Sequence, residues 1–142
     1  MSNNLPIMAK MGVAFLTWRR FQQKCLNSNR ITLKQLYVLS QLSKKEYLYP
    51  SQIANMCFCD RPTATVIIKN LEKFSWIQRE RDSENAKQIK IFITTAGREK
   101  LNTIQWDDEI KNFDPLSCFT EEEKSQLNLL LNKLEEHLDR IK

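Results

Sequence analysis

Apolar residues return every three or four positions along much of the chain. Ile7, Met11, Ala14, Trp18, Phe21 and Cys25 form one such stripe, which predicts an amphipathic helix. Leu33, Leu36, Leu39 and Leu42 form a second, opened by Thr32 and Gln35 at capping-box spacing and closed by Ser43, Lys44 and Lys45. Pro50, whose fixed φ suits a first helical turn, leads a brief helix through Ile53, Ala54 and Met56. Cys57, Phe58 and Cys59 connect it to a longer helix with Ala64, Ile67, Ile68 and Leu71 on one face. Pro62 biases Arg61 away from α geometry, so either Asp60 or Arg61 is the N-cap.

After Ser75 the period changes from helical to alternating. Trp76 to Arg81 reads as an outgoing strand, Asp82 to Ala86 as a turn, and Lys87 to Thr94 as the return. Ile89, Ile91 and Ile93 share one face of the return strand, and Gln88, Lys90 and Phe92 the other. Helical spacing resumes in Leu101, Ile104, Ile110 and Phe113, read as one helix, with a break at Asp114 and Pro115. Thr120 and Glu123 then cap a helix carrying Leu127, Leu130, Leu131, Leu134, Leu138 and Ile141. The order of three helices and a charged hairpin over Thr32 to Gly97 is that of a winged helix-turn-helix. The expected fold is mainly α with a small β-hairpin wing. A winged core over 31–100 is flanked by helical regions 1–30 and 101–142.

Those flanking stripes exceed what a three-helix core can cover. Pairing with a second copy is the economical solution, with Ile7, Met11, Leu127, Leu130, Leu131, Leu134 and Leu138 at the dimer surface. Packing within one chain is the alternative.

Composition narrows the function. With 142 residues, 42% hydrophobic and 27% charged, the chain is an ordinary globular one. Its net charge of +5 is unevenly placed. Residues 1–30 hold five basic side chains and no acid, residues 31–100 twelve basic and seven acidic, and residues 101–142 five basic and ten acidic. A basic middle beside an acidic end suits a face that meets a polyanion. No apolar run approaches the ~20 residues of a membrane span, and Met1 to Phe21 is interrupted by Lys10, Arg19 and Arg20. No membrane contact and a cytosolic setting at the nucleoid follow as expectations, with Cys25, Cys57, Cys59 and Cys118 as thiols. No cofactor is expected. The one histidine, His137, faces the polar side of the last helix, and no Cys/His cluster has metal spacing. A glycine-rich phosphate loop, a catalytic carboxylate pair and a nucleophile beside a base are all missing, so no catalytic residue is assigned.

The residues Ile31 to Gln35, Ser51 to Ala54, Asp60 to Thr65, Leu71 to Lys73 and Ile93 to Arg98 together resemble the MarR family of bacterial transcriptional regulators in order and spacing. The resemblance covers Thr32 to about Leu101. It implies a homodimeric winged-helix protein that straddles a pseudo-palindromic operator, in many members a repressor released by a small ligand or by thiol oxidation. Three positions depart from the family pattern. Ser75 stands where glycine usually closes the recognition helix, Asn85, Ala86 and Lys87 replace an acid, a spacer and arginine, and Val66 replaces a polar or basic residue.

On this reading the helix after Asp60 lies in the major groove of double-stranded DNA, with Arg61 placed to read guanine and Asn70 adenine. Val66 meets a thymine methyl, Thr63, Lys69 and Lys73 meet the backbone, and Pro62 and Thr65 complete the contact surface. Ser51 and Gln52 approach phosphate from the preceding helix, and Arg79, Arg81, Asn85 and Lys87 do so from the wing. The resemblance also implies a small aromatic or anionic effector, for which Phe15, Trp18 and Arg19 are the candidate contacts. Two alternatives stay open: a winged-helix interaction module that binds no DNA, and a regulator switched through Cys57 and Cys59.

Overall fold

A computed structural model describes residues 4–141; residues 1–3 and 142 of the flanking regions lie outside the described residues. The chain divides into two compact units, residues 1–107 and 108–142.

The first unit begins with α1, Ile7–Leu26, whose stripe ends in the buried Cys25 and Leu26. The second helix, α2 (Leu33–Ser43), has the full capping box: Gln35 N–H donates to Thr32 Oγ1 and Thr32 N–H to Gln35 Oε1. These bonds satisfy two amides that the first turn otherwise leaves unpaired. Gln23 of α1 accepts from Leu33 N–H at 2.8 Å and so fastens α1 to the start of α2. A short helix, α3 (Pro50–Met56), precedes α4 (Arg61–Lys73), which presents Ala64, Ile67, Ile68 and Leu71 to the core.

Both α3 and α4 end in the same way. After α3, Cys59 N–H donates to Ala54 O and Phe58 N–H to Asn55 O; after α4, Trp76 N–H donates to Leu71 O and Ser75 N–H to Glu72 O. This is the Schellman closure, which requires a left-handed residue past the helix end. Phe58 (φ 53°) and Ser75 (φ 62°) supply it in place of glycine. Each Cβ there costs about 1–2 kcal/mol relative to the right-handed region.

The hairpin pairs β1 (Ile77–Arg81) with β2 (Ile89–Ile93) in antiparallel register, Arg79 opposite Ile91. Leu48 adds a one-residue rung on the outer side of β2, donating to Ile91 O and accepting from Ile91 N–H. The sequence pattern shows no sign of this rung. The face of β2 that carries Lys90 and Phe92 is also partly covered, because Tyr47 packs on Phe92 and Lys90 stands 4.4 Å from the Tyr47 ring centre.

Next comes α5, Thr95–Thr103, capped by Thr94. A Cβ on Gly97 would collide with the Trp76 carbonyl and lie 2.7 Å from Ile93. The single helix expected from Leu101 to Phe113 is broken. Ile104 turns to extended backbone, and Asn29 grips both backbone groups of Gln105, donating to its carbonyl at 2.7 Å and accepting from its N–H at 2.9 Å. Trp106 joins the margin of the core, whose centre is Leu26, Leu39, Leu42, Leu48, Ile53, Leu71 and Ile91.

The second unit holds α6 (Asp108–Lys111), a turn through Asp114, and α7 (Glu121–Leu138) with the capping box expected at Thr120 and Glu123. None of its described residues is buried. Leu127, Leu134 and Leu138 are half-buried, whereas Leu129, Leu130 and Leu131 are exposed.

Candidate nucleic-acid interface

The outer side of α4 is built by its N-cap. Asp60, rather than Arg61, takes that place, accepting from Thr63 N–H at 2.8 Å. Hydrogen bonds from the Thr63 hydroxyl and then its N–H hold the Asp60 carboxyl below the usual range. A carboxylate therefore occupies the helix N-terminus and uses one of its amides. That geometry weakens the pull that free amides and the helix dipole exert on phosphate.

Arg61, Pro62, Thr63, Thr65, Val66, Lys69, Asn70 and Lys73 are all exposed on α4. The Thr65 hydroxyl donates to Arg61 O at 2.9 Å, leaving its oxygen free to accept. Arg61 and Thr65 share a groove of about 410 Å³ with Ser51 and Lys87. Four positions singled out from sequence thus meet, drawn from α3, α4 and the wing. Among the described residues, no acid lines that groove. Gln52 lies beside it, but its side-chain oxygen accepts from Tyr49 N–H at 2.8 Å and caps α3.

Other wing residues are occupied elsewhere. Arg79 donates to Glu72 at 2.7 Å, tying β1 to the end of α4 and compensating its charge. Arg81 donates to Ala86 O, and Asn85 accepts from Lys87 N–H; both bonds shape the tip. Asn70 lies outside the wing-side groove and lines a different one with Arg20 and Lys34.

Sequence reasoning missed the joint that sets the wing. The Tyr49 hydroxyl donates to Asp82 Oδ2 at 3.0 Å, while Asp82 Oδ1 accepts from Glu84 N–H at 2.9 Å. Tyr47 stands edge-on to Tyr49 at 5.3 Å. Hydrogen bonding with Tyr47 and Asp82 raises the Tyr49 hydroxyl above its ordinary range, and the Glu84 amide, with Tyr49, lowers Asp82. Tyrosine just before a helix-opening proline was the available signal.

Phe15, Trp18 and Arg19 line a groove of about 380 Å³ together with Tyr37 and Trp106, two aromatics that sequence spacing did not connect to them. The Arg19 guanidinium lies 5.7 Å from the Phe15 ring centre. Cys57 is buried, and burial pushes its thiol up, so the nucleophilic thiolate is disfavoured there. Ile7 is exposed and Met11 half-buried on α1.

An exposed helix, a short helix before it and a hairpin beside it make up a winged helix-turn-helix. The MarR family model matches residues 31–89. Among curated relatives, the uncharacterized HTH-type transcriptional regulator YybA of Bacillus subtilis is 30% identical over 110 residues, covering 78% of this chain and 73% of YybA. PecS of Dickeya dadantii, also an HTH-type transcriptional regulator, is 28% identical over 122 residues, covering 84% of this chain and 74% of PecS. Among solved structures, the S. aureus MepR–DNA complex superposes with a TM-score of 0.79 at 21% identity, covering 95% of this chain and 99% of MepR. The chain belongs to the MarR family, a family of transcriptional regulators rather than enzymes.

Proposed function

We propose that the protein is a homodimeric repressor that acts in the cytoplasm, binds a pseudo-palindromic operator and is released by a small aromatic or anionic ligand. The observation that carries this reading is the acid-free groove in which Ser51, Arg61, Thr65 and Lys87 converge beside the exposed side of α4. With α4 in the major groove, Arg61 is the base-reading residue and Thr65 and Val66 touch neighbouring bases. Ser51, Thr63, Lys69, Lys73 and Lys87 hold phosphate. Arg79, Arg81, Asn85 and Gln52 act by shaping the wing and α3, because their side chains are engaged within the fold.

Dimerisation uses α1, whose stripe is buried only at its end in Cys25 and Leu26, and residues 108–142, whose stripe has no buried member. Ile7 and Met11 contribute from α1, and Leu127, Leu130, Leu131, Leu134 and Leu138 from α7. Half-sites then fall about 34–36 Å apart. The groove of Phe15, Trp18 and Arg19 receives the effector, its rings stacking on an aromatic ligand and its guanidinium pairing with an anion.

Selection of genomic duplex fragments, followed by titration of Arg61→Ala and Lys87→Ala, tests the DNA reading. Both variants lose operator affinity on this account. Equal binding by both, or no duplex binding by the wild type, overturns it and leaves a protein-interaction module. Adding salicylate or benzoate as probes to the bound complex tests release.

A further inference from the structure

The tip of the wing is a small body with its own internal bonding. Beyond the last strand pair, Arg81 with Ile89, the chain runs through residues 82–88. Asp82 N–H donates to Gln88 O at 3.0 Å, and Gln88 N–H to Asn85 O at 2.9 Å. The Asp82 and Asn85 side chains accept from Glu84 N–H and Lys87 N–H, and Arg81 reaches across to Ala86 O. Lys87 therefore stands wherever this body is placed. Among the described residues, one hydrogen bond ties the body to a residue outside the hairpin, the Tyr49 hydroxyl donating to Asp82 Oδ2 at 3.0 Å. No ion pair does so among them.

The other end of that tie is fixed. Tyr49 is the N-cap of α3: its N–H donates to Gln52 Oε1 at 2.8 Å, and its carbonyl accepts from Gln52 N–H at 3.0 Å and Ile53 N–H at 3.1 Å. Leu48, its chain neighbour, holds Ile91 through the two-bond rung, and Tyr47 stands edge-on to its ring. Tyr49, Ser51, Arg61 and Lys87 line one groove. A half-buried phenol thus spans from the helix that carries Ser51 to the loop that carries Lys87.

We propose that Tyr49 is a positioning residue for DNA binding, which through Asp82 fixes where Lys87 stands relative to Ser51 and Arg61. This rests on the reading of that groove as the DNA-facing surface. The hydroxyl hydrogen is committed to Asp82, so Tyr49 has no donor to offer phosphate and acts through the wing. The loop's own bonds fix its shape but not its place. An anchored tip meets phosphate already ordered, whereas an unanchored one must be ordered on binding, at a cost in affinity.

The test is full-length Tyr49→Phe, which removes the hydroxyl and keeps the ring, alone and combined with Lys87→Ala or Arg61→Ala. Binding to the selected operator duplex and to an unrelated duplex is titrated across a salt series. Tyr49→Phe is expected to weaken both by the same factor, about 2- to 10-fold per protomer, the range of one hydrogen bond. The slope of log affinity against log salt becomes shallower by about 1 per protomer as the Lys87 contact is lost. The loss vanishes in the Lys87→Ala background and persists in full in the Arg61→Ala background. General damage to the fold would instead weaken binding in both backgrounds alike. Wild-type affinity and slope in Tyr49→Phe, no loss in Lys87→Ala, or losses that add in full between the two overturn the positioning role. A clear loss in Arg61→Ala then leaves the DNA reading intact. If the wild type ignores both duplexes, the DNA reading fails and the positioning role with it.

Discussion

The two units of this chain devote similar apolar patterns to opposite ends. In residues 1–107 the stripes of α2, α3 and α4 close on one another and leave Leu39, Leu42, Ile53 and Leu71 with no exposed surface. In residues 108–142 an equally regular leucine stripe on α7 has no buried member, with Leu130 at 63% exposure. Hydrophobic period therefore tells which side of a helix seeks burial, but not whether burial comes from its own chain. On the proposed reading the first unit carries the DNA-reading surface, and the second offers an exposed leucine face of the kind that marks an interface.

Breaking the second unit should have the largest effect on function and little on the first unit. Leu130→Asp/Leu134→Asp is expected to sediment as a monomer and bind operator at least ~100-fold more weakly, because two linked half-site contacts become independent. Its α2–α4 core should melt as before. Leu39→Ala should do the reverse, costing about 2–5 kcal/mol of folding stability by denaturant titration, whereas Leu130→Ala leaves that core unaffected.

Gly97→Ala comes next. Its Cβ meets the Trp76 carbonyl, a backbone atom that cannot step aside, so a loss of about 1–3 kcal/mol is expected by the same titration. Smaller and opposite in sign, Phe58→Gly should raise the melting temperature by relieving a left-handed Cβ worth about 1 kcal/mol. Phe58 is 89% exposed, so the change removes little packing.

The smallest effect is one of pH. Asp82 has its carboxyl lowered in the folded state by the Glu84 amide and Tyr49, so its contribution is present above the unfolded value of about 3.9 and lost as pH falls through the folded one. Protection of Glu84 N–H against hydrogen exchange, taken relative to its intrinsic rate at each pH, should fall in that acid window. In Asp82→Asn the same amide should exchange without that pH step.

Legibility followed the locality of the cause. Capping boxes at Thr32 and Thr120 and the stripe of α4 depend on residues a turn apart, so spacing alone placed them. The break before α6 depends on Asn29 reaching Gln105, and the Leu48 rung on Ile91, pairs far apart in sequence that no local period reports. In the site, position was legible and availability was not. Arg79, Arg81 and Lys87 all read as wing cations, yet Glu72 compensates Arg79 and Ala86 holds Arg81, which leaves Lys87 at the groove.

On the proposed function two copies, joined through their exposed helical surfaces, present two α4 helices to consecutive turns of one duplex. Sedimentation velocity of the protein with a labelled operator duplex tests this most directly. The predicted result is a dimer in the free protein and two chains per duplex in the complex. A protein that stays monomeric at all concentrations, or sediments apart from the duplex in low salt, would contradict it.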